Sequence, residues 1–236
     1  MIAGSMALIL ILGELLSAQT TKILVVTGGK EFDRAPFLAM FQSFKGVTTD
    51  AASKPSVFSL FASPAIEEYD AIVFYDAYQP ISEEEKRAFL RLFDLGMGCL
   101  FLHHAIVSHQ EWDEYEKILG GRYHHKPYMD DGKKYGPSTY KHDQVFVVKI
   151  IDQEHPVTKG VSDFEIRDEI YLNYKINDYV IPLLTSDNCE TGKYIGWTNT
   201  YKNSKVVCLL PGHDHHAYDN PNFRQLIKNS IEWVKR

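Results

Sequence analysis

Short apolar runs alternate with stretches of helical spacing through the first half of the chain, and this alternation predicts the architecture. The runs consist of β-branched and aromatic residues with little polar interruption, as in strands buried on both faces of a sheet. Strands joined by helical crossovers form a parallel sheet with helices on both faces. The predicted strands are 22–27, 70–76 and 98–103, and the predicted helices are 32–44, 82–95 and 111–119.

Capping residues mark both ends of the second predicted helix. Ser82 is followed three positions later by Glu85, which is the spacing of a capping box. Gly96 follows the last apolar position, and a glycine there typically ends a helix. These signals place the helix boundaries independently of the apolar pattern.

The second half of the chain has strand-like segments joined by short or turn-like connections. We therefore expect a single α/β domain over residues 19–236, with an antiparallel section inserted or appended. A loop rich in Gly, Pro, Lys and Tyr is predicted at 123–143, and loops of that length are usually functional or disordered. The predicted strands are 145–151, 169–175, 180–186, 193–198 and 205–210, followed by a closing helix at 222–234.

The apolar run at 6–13 is too short to span a bilayer, which needs about 20 apolar residues. It is typical of a secretory signal, with Ser17 and Ala18 as small residues at the cleavage site. No Lys or Arg precedes the run, and a buried N-terminal helix or strand is the alternative. We predict a signal peptide over residues 1–18, a periplasmic or secreted mature protein, and no stable membrane insertion.

Composition and charge narrow the class of protein. The chain has 236 residues, 44% apolar and 24% charged, which is ordinary for a globular domain. Its net charge of −6 argues against nucleic acid as a partner, because phosphate binding needs a basic face. Three cysteines cannot build a disulfide framework, and their spacing is not that of a zinc site. We expect a small-molecule ligand, and a homo-oligomer is compatible with these numbers.

Ten histidines are present, and six of them form the adjacent pairs His103–His104, His124–His125 and His215–His216. Ligands of open α/β sheets bind at the carboxyl ends of the strands. An acid, imidazoles and glycine-rich backbone at such ends suit acid/base chemistry or the binding of a divalent metal. The residues predicted at strand ends are Gly28, Gly29, Asp76, His103, His104 and His213.

His103 follows an apolar strand and precedes Ala105 at a strand-to-helix turn, where enzymes with a nucleophile elbow place Ser or Cys. A histidine there suits a base, an acid or a ligand, and a helix-capping imidazole is the structural alternative. Cys99 lies inside the strand, and we interpret it as a small buried hydrophobic residue. His213 follows Gly212 in a similar turn, with an exposed polar turn as the alternative.

The remaining polar residues give weaker signals. Asp168 and Glu169 are adjacent on a predicted strand and point apart, so at most one reaches a shared site, and a solvated turn is equally compatible. The same argument means that His215 and His216 are not a metal motif on spacing alone. We interpret His155 before Pro156 as structural, and His124, His125 and His142 as exposed loop residues rather than a lid or wall.

Several short motifs follow one another in order along residues 22–236. They are Val25-Val26-Thr27-Gly28-Gly29, Phe101-Leu102-His103-His104-Ala105, Gly120-Gly121-Arg122-Tyr123, His155-Pro156, Asp168-Glu169-Ile170-Tyr171, Trp197, Gly212-His213 and Phe223-Arg224. This ordered set resembles the ThuA-like (trehalose utilisation) family, a branch of the class I glutamine amidotransferase-like superfamily.

The resemblance implies a flavodoxin-like, doubly wound fold with a mainly parallel sheet, and a role in the metabolism of trehalose and related sugars, including keto sugars. The superfamily carries a cysteine at the elbow. His103 stands there in this chain, which removes cysteine-dependent glutaminase chemistry. Many relatives carry a histidine soon after the first glycine-rich turn, whereas this chain has Lys30 and Glu31.

The resulting hypothesis is acid/base chemistry on a disaccharide or its keto derivative, with hydrolysis, elimination and isomerisation all open. His103 and His213 would be the acid/base or ligand groups, and Asp168 or Glu169 their carboxylate partner. The rival is a non-catalytic carbohydrate-binding or scaffold protein on the same fold. Expected substrate contacts are Gly28, Gly29, Asp76, His104, Tyr171 and Trp197, and the loop tyrosines Tyr128, Tyr135 and Tyr140 offer further faces for sugar rings.

Overall fold

A computed structural model describes residues 20–78 and 80–236. The predicted signal peptide at 1–18 lies outside the described residues, so it stays a prediction, as does the periplasmic or secreted location. No helix within the described ranges is both long enough and apolar enough to cross a bilayer.

A nine-stranded mixed sheet forms the centre of the molecule, in the order β2-β1-β3-β4-β13-β12-β11-β8-β9. Its strands are β1 (Thr21–Gly28), β2 (Val47–Ser53), β3 (Ala71–Asp76), β4 (Gly98–Leu102), β8 (Thr139–Ile150), β9 (Phe164–Leu172), β11 (Ile181–Ser186), β12 (Gly196–Tyr201) and β13 (Ser204–Leu209). The short strands outside it are β5 (Gly121–Arg122), β6 (Tyr128–Asp130), β7 (Lys133–Tyr135) and β10 (Lys175–Ile176).

The first five strands of that order are parallel, and they follow the 2-1-3-4-5 order of flavodoxin-like folds. From β13 onward the pairings are antiparallel. The predicted doubly wound α/β class with an antiparallel C-terminal section is therefore confirmed. The helices are α1 (Arg34–Gln42), α2 (Val57–Ala62), α3 (Glu83–Asp94), α4 (Asp113–Leu119), α5 (His215–Asp219) and α6 (Pro221–Val234), with short 3-10 helices at Pro64–Glu68 and His103–Val107.

Local signals placed several elements correctly. Ser82 and Glu85 form both hydrogen bonds of the capping box at the start of α3. The core of the parallel half is fully buried along β3 and β4, as their unbroken apolar runs predicted. Gly98 begins β4 where a Cβ atom would lie 1.9 Å from the carbonyl oxygen of Val234, so only glycine lets α6 pack this closely.

Two regions differ from the sequence-based expectation. The strand β2 and helix α2 were not predicted, because β2 is an edge strand whose sequence is polar and whose residues are largely exposed. The predicted loop at 123–143 instead contains the β6–β7 hairpin and the first residues of β8. The strand β2 and the two strands of the β6–β7 hairpin lack the unbroken apolar run that identifies a buried strand.

Candidate functional site

His103 lies at the carboxyl end of β4, where the strand turns into a 3-10 helix. Its φ of +41° is rare for a residue with a side chain and is found where surrounding structure enforces it. The side chain is buried, and Nδ1–H donates to the carbonyl oxygen of Leu210 at 2.6 Å. This bond fixes the ring so that Nε2 faces the interior of the site.

Glu169 on β9 approaches that nitrogen. Its Oε1 lies 3.2 Å from Nε2 of His103, and its Oε2 lies 3.7 Å from Nδ1 of His213. Burial alone would raise the pKa of Glu169, but the hydrogen bond and charge of His103, with further charge from His213 and Lys30, lower it. The carboxylate is therefore held ionised in a position that is almost closed to solvent.

Asp168 has a different role from its neighbour. Its carboxylate accepts the backbone N–H groups of Gly212 at 2.6 Å and His213 at 2.9 Å, and within residues 20–78 and 80–236 it forms no ion pair with an imidazole. Burial raises the pKa of Asp168 to about 6, against the opposing effects of His103 and these backbone donors. We therefore class Asp168 as a residue that positions the His213 turn. Only Glu169 of the pair reaches the shared site, which agrees with the alternation of side chains along a strand.

His213 and His104 complete the group. Gly212, with φ of +121°, gives the turn after β13 a conformation that brings Nδ1 of His213 to 3.1 Å from Nε2 of His103. Burial and the neighbouring His103 lower the pKa of His213 to about 4. His104 is also buried, and burial followed by the charge of His103 lowers its pKa well below the usual range.

One atom of each of these four residues lies within 4.8 Å of one atom of each of the others. We call His103, His104, Glu169 and His213 the histidine–glutamate cluster. It opens on a cavity of about 130 Å³ whose wall includes Arg167 and Asp214. The structure thus brings together His103, His104 and His213 from two strand ends, and of the two carboxylates predicted as their partner it places Glu169, on the edge strand β9, beside them.

His142 is a site residue that sequence reasoning judged to be an exposed loop residue. Its side chain is half exposed, yet Nδ1 lies 2.7 Å from Oε2 of Glu169. The pairing of β8 with β9 shifts register between Lys141 and Gln144, and Asp143 has φ of +57°. Such a bulge redirects a side chain. The one available signal was an aspartate beside the histidine, since aspartate tolerates the left-handed conformation.

Three expected substrate contacts, Asp76, Tyr171 and Trp197, are buried side chains. Trp197 is fully buried and donates its indole N–H to the carbonyl of Leu119 at 2.7 Å, so its predicted role as a sugar platform is wrong. Asp76 is fully buried 2.7 Å from Nζ of Lys54, and the prediction that it contacts substrate is also wrong. Tyr171 is buried and stacks on the ring of His103 at 4.8 Å, so it supports the imidazole.

Gly28 and Gly29 line a separate cavity of about 430 Å³ beside Lys30. Lys30 links this cavity to the cluster, because its charge contributes to lowering the pKa values of His104 and His213. That Gly28 and Gly29 contact substrate stays a prediction.

The other histidines and Cys99 lie outside the cluster. His155 accepts the N–H of Val157 at 3.1 Å, which confirms its structural interpretation. His215 and His216 begin α5 and pair with Asp33 and Asp214. Cys99 is fully buried inside β4, and burial raises the pKa of its thiol, as expected for a hydrophobic residue.

A separate aromatic cavity of about 390 Å³ has Tyr78, Trp112 and His125 in its wall. His125 contacts Tyr123 at 5.6 Å between ring centroids, and Tyr123 contacts Tyr171 at 5.3 Å. Because Tyr171 stacks on His103, a continuous row of rings joins the cavity wall to the cluster. Of the predicted tyrosine faces, Tyr140 is exposed beside His142, while Tyr128 and Tyr135 stack on each other in the β6–β7 hairpin.

Comparison with solved structures supports the fold. A ThuA-like protein from Parabacteroides merdae has 19% identity and a TM-score of 0.74 over 91% of this chain and 90% of its own. A second ThuA-like protein, from Bacteroides uniformis, has 21% identity and a TM-score of 0.71 over 94% of each chain. A cytoplasmic protein from Salmonella typhimurium has 15% identity and a TM-score of 0.58 over 92% of this chain and 100% of its own.

No curated protein sequence matches the chain significantly. The sequence model of one family, ThuA, described as trehalose utilisation, matches residues 22–234 and so covers nearly all of the described chain. It includes both strand-end motifs and the β9 segment that build the histidine–glutamate cluster. The chain therefore belongs to the ThuA (trehalose utilisation) family.

Proposed function

We propose that this protein moves a proton on the carbon next to a sugar carbonyl, with the histidine–glutamate cluster as its reaction centre. The observation that carries the proposal is a buried, ionised Glu169 contacted by three imidazoles, two from strand ends and one from a bulge. Membership of the trehalose utilisation family supports a sugar as the substrate class.

His142 is the proposed base. Its Nδ1 lies 2.7 Å from Oε2 of Glu169, so the carboxylate would stabilise the imidazolium that forms when Nε2 takes up a proton. Its side chain is 51% exposed, so the proton it accepts can exchange with solvent. A base must combine reach with a suitable protonation state, and the half-exposed position of His142 allows substrate to approach.

His213 is the proposed partner of the carbonyl oxygen. The C–H electron pair forms the C=C bond of an enediolate as the proton passes to His142, and the carbonyl oxygen gains the negative charge. Nε2–H of His213 would stabilise that oxygen when Nδ1 of His213 accepts the hydrogen bond from Nε2 of His103, and Asp168 holds the backbone N–H of His213. Return of the proton to the adjacent carbon completes an isomerisation, and departure of a glycosidic oxygen completes an elimination.

The aromatic cavity supports the proposal that the substrate is a disaccharide or its keto derivative. Burial raises the pKa of Tyr78, and Tyr140 and Glu169 add to the shift, so the cavity wall lies within electrostatic reach of the cluster. One ring of a disaccharide would pack on the aromatic wall that includes Trp112 while the other reaches the imidazoles.

The test is to incubate the protein in D₂O with trehalose and with 3-keto-trehalose, and to follow deuterium incorporation and new products by NMR. We expect exchange and turnover with the keto sugar, both lost in His142→Ala and in His103→Ala and both retained in the control His155→Ala. Tight sugar binding with no exchange, unchanged in His103→Ala, would instead favour the carbohydrate-binding or scaffold protein.

A further inference from the structure

We propose that the histidine–glutamate cluster binds one divalent first-row transition-metal ion. Its four donor residues come from two neighbouring strand ends and from β9. The proposal stands on their geometry and on an unpartnered buried nitrogen.

The spacing of the donor atoms matches that of ligands around one ion. Metal–nitrogen and metal–oxygen distances of about 2.0–2.2 Å place neighbouring ligand atoms about 3.0–3.6 Å apart. Nε2 of His103 lies 3.1 Å from Nδ1 of His213 and 3.2 Å from Oε1 of Glu169, and Nδ1 of His213 lies 3.7 Å from Oε2 of Glu169. The three residues thus already hold their donors at near-coordination spacing.

The tautomer of His103 also suits a ligand. Because Nδ1–H donates to the carbonyl of Leu210, the lone pair of a neutral ring lies on Nε2, facing the carboxylate oxygen of Glu169. A lone pair and a carboxylate oxygen repel each other unless a proton or a cation lies between them. Metal-binding histidines usually donate their other N–H to a carbonyl or carboxylate in this way.

His104 supplies the independent observation. Its Nε2 is buried and has no hydrogen-bond partner among residues 20–78 and 80–236. A buried, unpartnered polar atom costs about 1–3 kcal/mol, so its retention needs an explanation. Its ring lies 4.5 Å from that of His103 and 5.5 Å from that of His213, which places the nitrogen at the cluster.

Charge favours the same interpretation. Among the described residues, the ion pairs of Glu169 are all with imidazoles and none is with a lysine or arginine. A buried carboxylate needs a compensating charge, which a dication supplies. Three imidazoles with one carboxylate suit Zn²⁺, Fe²⁺, Co²⁺, Ni²⁺ or Mn²⁺, whereas Mg²⁺ and Ca²⁺ prefer oxygen ligands.

The ion would also refine the proposed reaction, and this one step rests on the proposed function. A five- or six-coordinate ion with four protein donors has positions left for substrate oxygens. It would then replace the N–H of His213 in stabilising the developing oxygen charge. His142 lies outside the four donors and keeps its role as base.

The test uses the mature chain without a histidine tag, stripped with EDTA and titrated with Zn²⁺, Mn²⁺ and Mg²⁺ against a chromophoric chelator. We expect one Zn²⁺ or Mn²⁺ per chain, no comparable Mg²⁺ binding, and a rise in Tm with the bound ion. Because loss of a supporting residue alone typically weakens metal binding 10–100-fold, His103→Ala and Glu169→Gln should weaken it by at least about 100-fold.

His213→Ala, at a partly exposed position, serves as the variant least prone to misfold and should weaken binding similarly. His155→Ala is the matched control that should bind as the parent does. Substoichiometric binding by the parent chain, or binding unchanged in the cluster variants, would overturn the proposal. Turnover by the EDTA-stripped protein would contradict a role of the ion in the reaction and leave the proposed function standing. Tight ion binding without any sugar exchange would support the ion site and contradict the proposed function.

Discussion

Two buried groups of charged and polar side chains lie at neighbouring strand ends, and they differ in how their charges are balanced. At the end of β3, Asp76 lies 2.7 Å from Nζ of Lys54, which also contacts Nε2 of His109 at 2.8 Å. At the end of β4, Glu169 meets only imidazoles among the described residues. The carboxylate of the first group is paired with a lysine, whereas the carboxylate of the second is paired with imidazoles alone.

This difference separates a structural use of buried charge from a functional one. Burial lowers the pKa of Lys54, but Asp76 opposes the shift, and both side chains of the pair are fully buried. The histidine–glutamate cluster instead reaches solvent through His142 and His213. Position at a strand end therefore does not make a site, and an incomplete charge balance is the better indicator.

Removing the carboxylate of the cluster should have the largest effect. Glu169→Gln keeps the volume but loses the negative charge that holds His142 as a base, so turnover of the keto sugar should fall about 10²–10⁴-fold, or about 3–5 kcal/mol. Steady-state kinetics against the parent chain measures this. The control is Cys99→Ala, whose turnover should be unchanged; a loss in that control would point to a cysteine mechanism.

Removing the carboxylate of the closed pair should act on stability instead. Asp76→Ala leaves the Lys54 ammonium buried without its partner, and the free energy of unfolding should fall by about 3–5 kcal/mol in urea melts. The double variant Lys54→Met/Asp76→Leu should recover most of that loss. If Asp76→Ala were as stable as the parent but inactive, the assignment of this pair to structure would be wrong.

Asp168→Asn tests the link between the backbone and the cluster. The amide presents one N–H₂ group where the carboxylate accepts the N–H groups of Gly212 and His213, so stability should fall by about 1–3 kcal/mol. Displacement of His213 should lower kcat more than it changes KM. An unchanged pH profile and kcat would show that the turn does not need this anchor.

His124 tests how an isolated half-buried imidazole behaves. It stacks on Tyr128 at 3.8 Å, and burial lowers its pKa to about 4. Between pH 6.5 and pH 4 the imidazole binds a proton in the unfolded chain but not in the folded one. The free energy of unfolding is therefore at its full value above pH 6.5 and falls as the pH is lowered toward 4. After solvent screening we expect about 1 kcal/mol, measured as the difference in pH dependence between the parent and His124→Phe. Parallel curves for the two proteins would contradict it.

The sequence predicted what local pattern and parallel-sheet geometry determine. Unbroken apolar runs identified β1, β3 and β4, and the convergence of strand ends brought His103 and His213 together as expected. Asp168 or Glu169 was expected as the carboxylate partner, but the sequence could not decide between them, because β9 lies at the far edge of the sheet and its approach is set by long-range packing. Asp76 was misassigned because its partner Lys54 follows β2, a polar edge strand that the apolar pattern does not reveal.

Trp197 and His142 were misjudged for related reasons. The central antiparallel strand β12 is covered by α4, which buries the indole of Trp197. His142 owes its position to a bulge, and a bulge depends on how two strands pair rather than on the residues of one strand.

The most direct test of the central claim is deuterium exchange into 3-keto-trehalose in D₂O, followed by NMR for the parent chain, His142→Ala, Glu169→Gln and Asp76→Asn. The histidine–glutamate cluster, as reaction centre, predicts exchange by the parent and by folded Asp76→Asn, and none by the other two variants. Exchange that persists in Glu169→Gln, or that is lost only in Asp76→Asn, would contradict it.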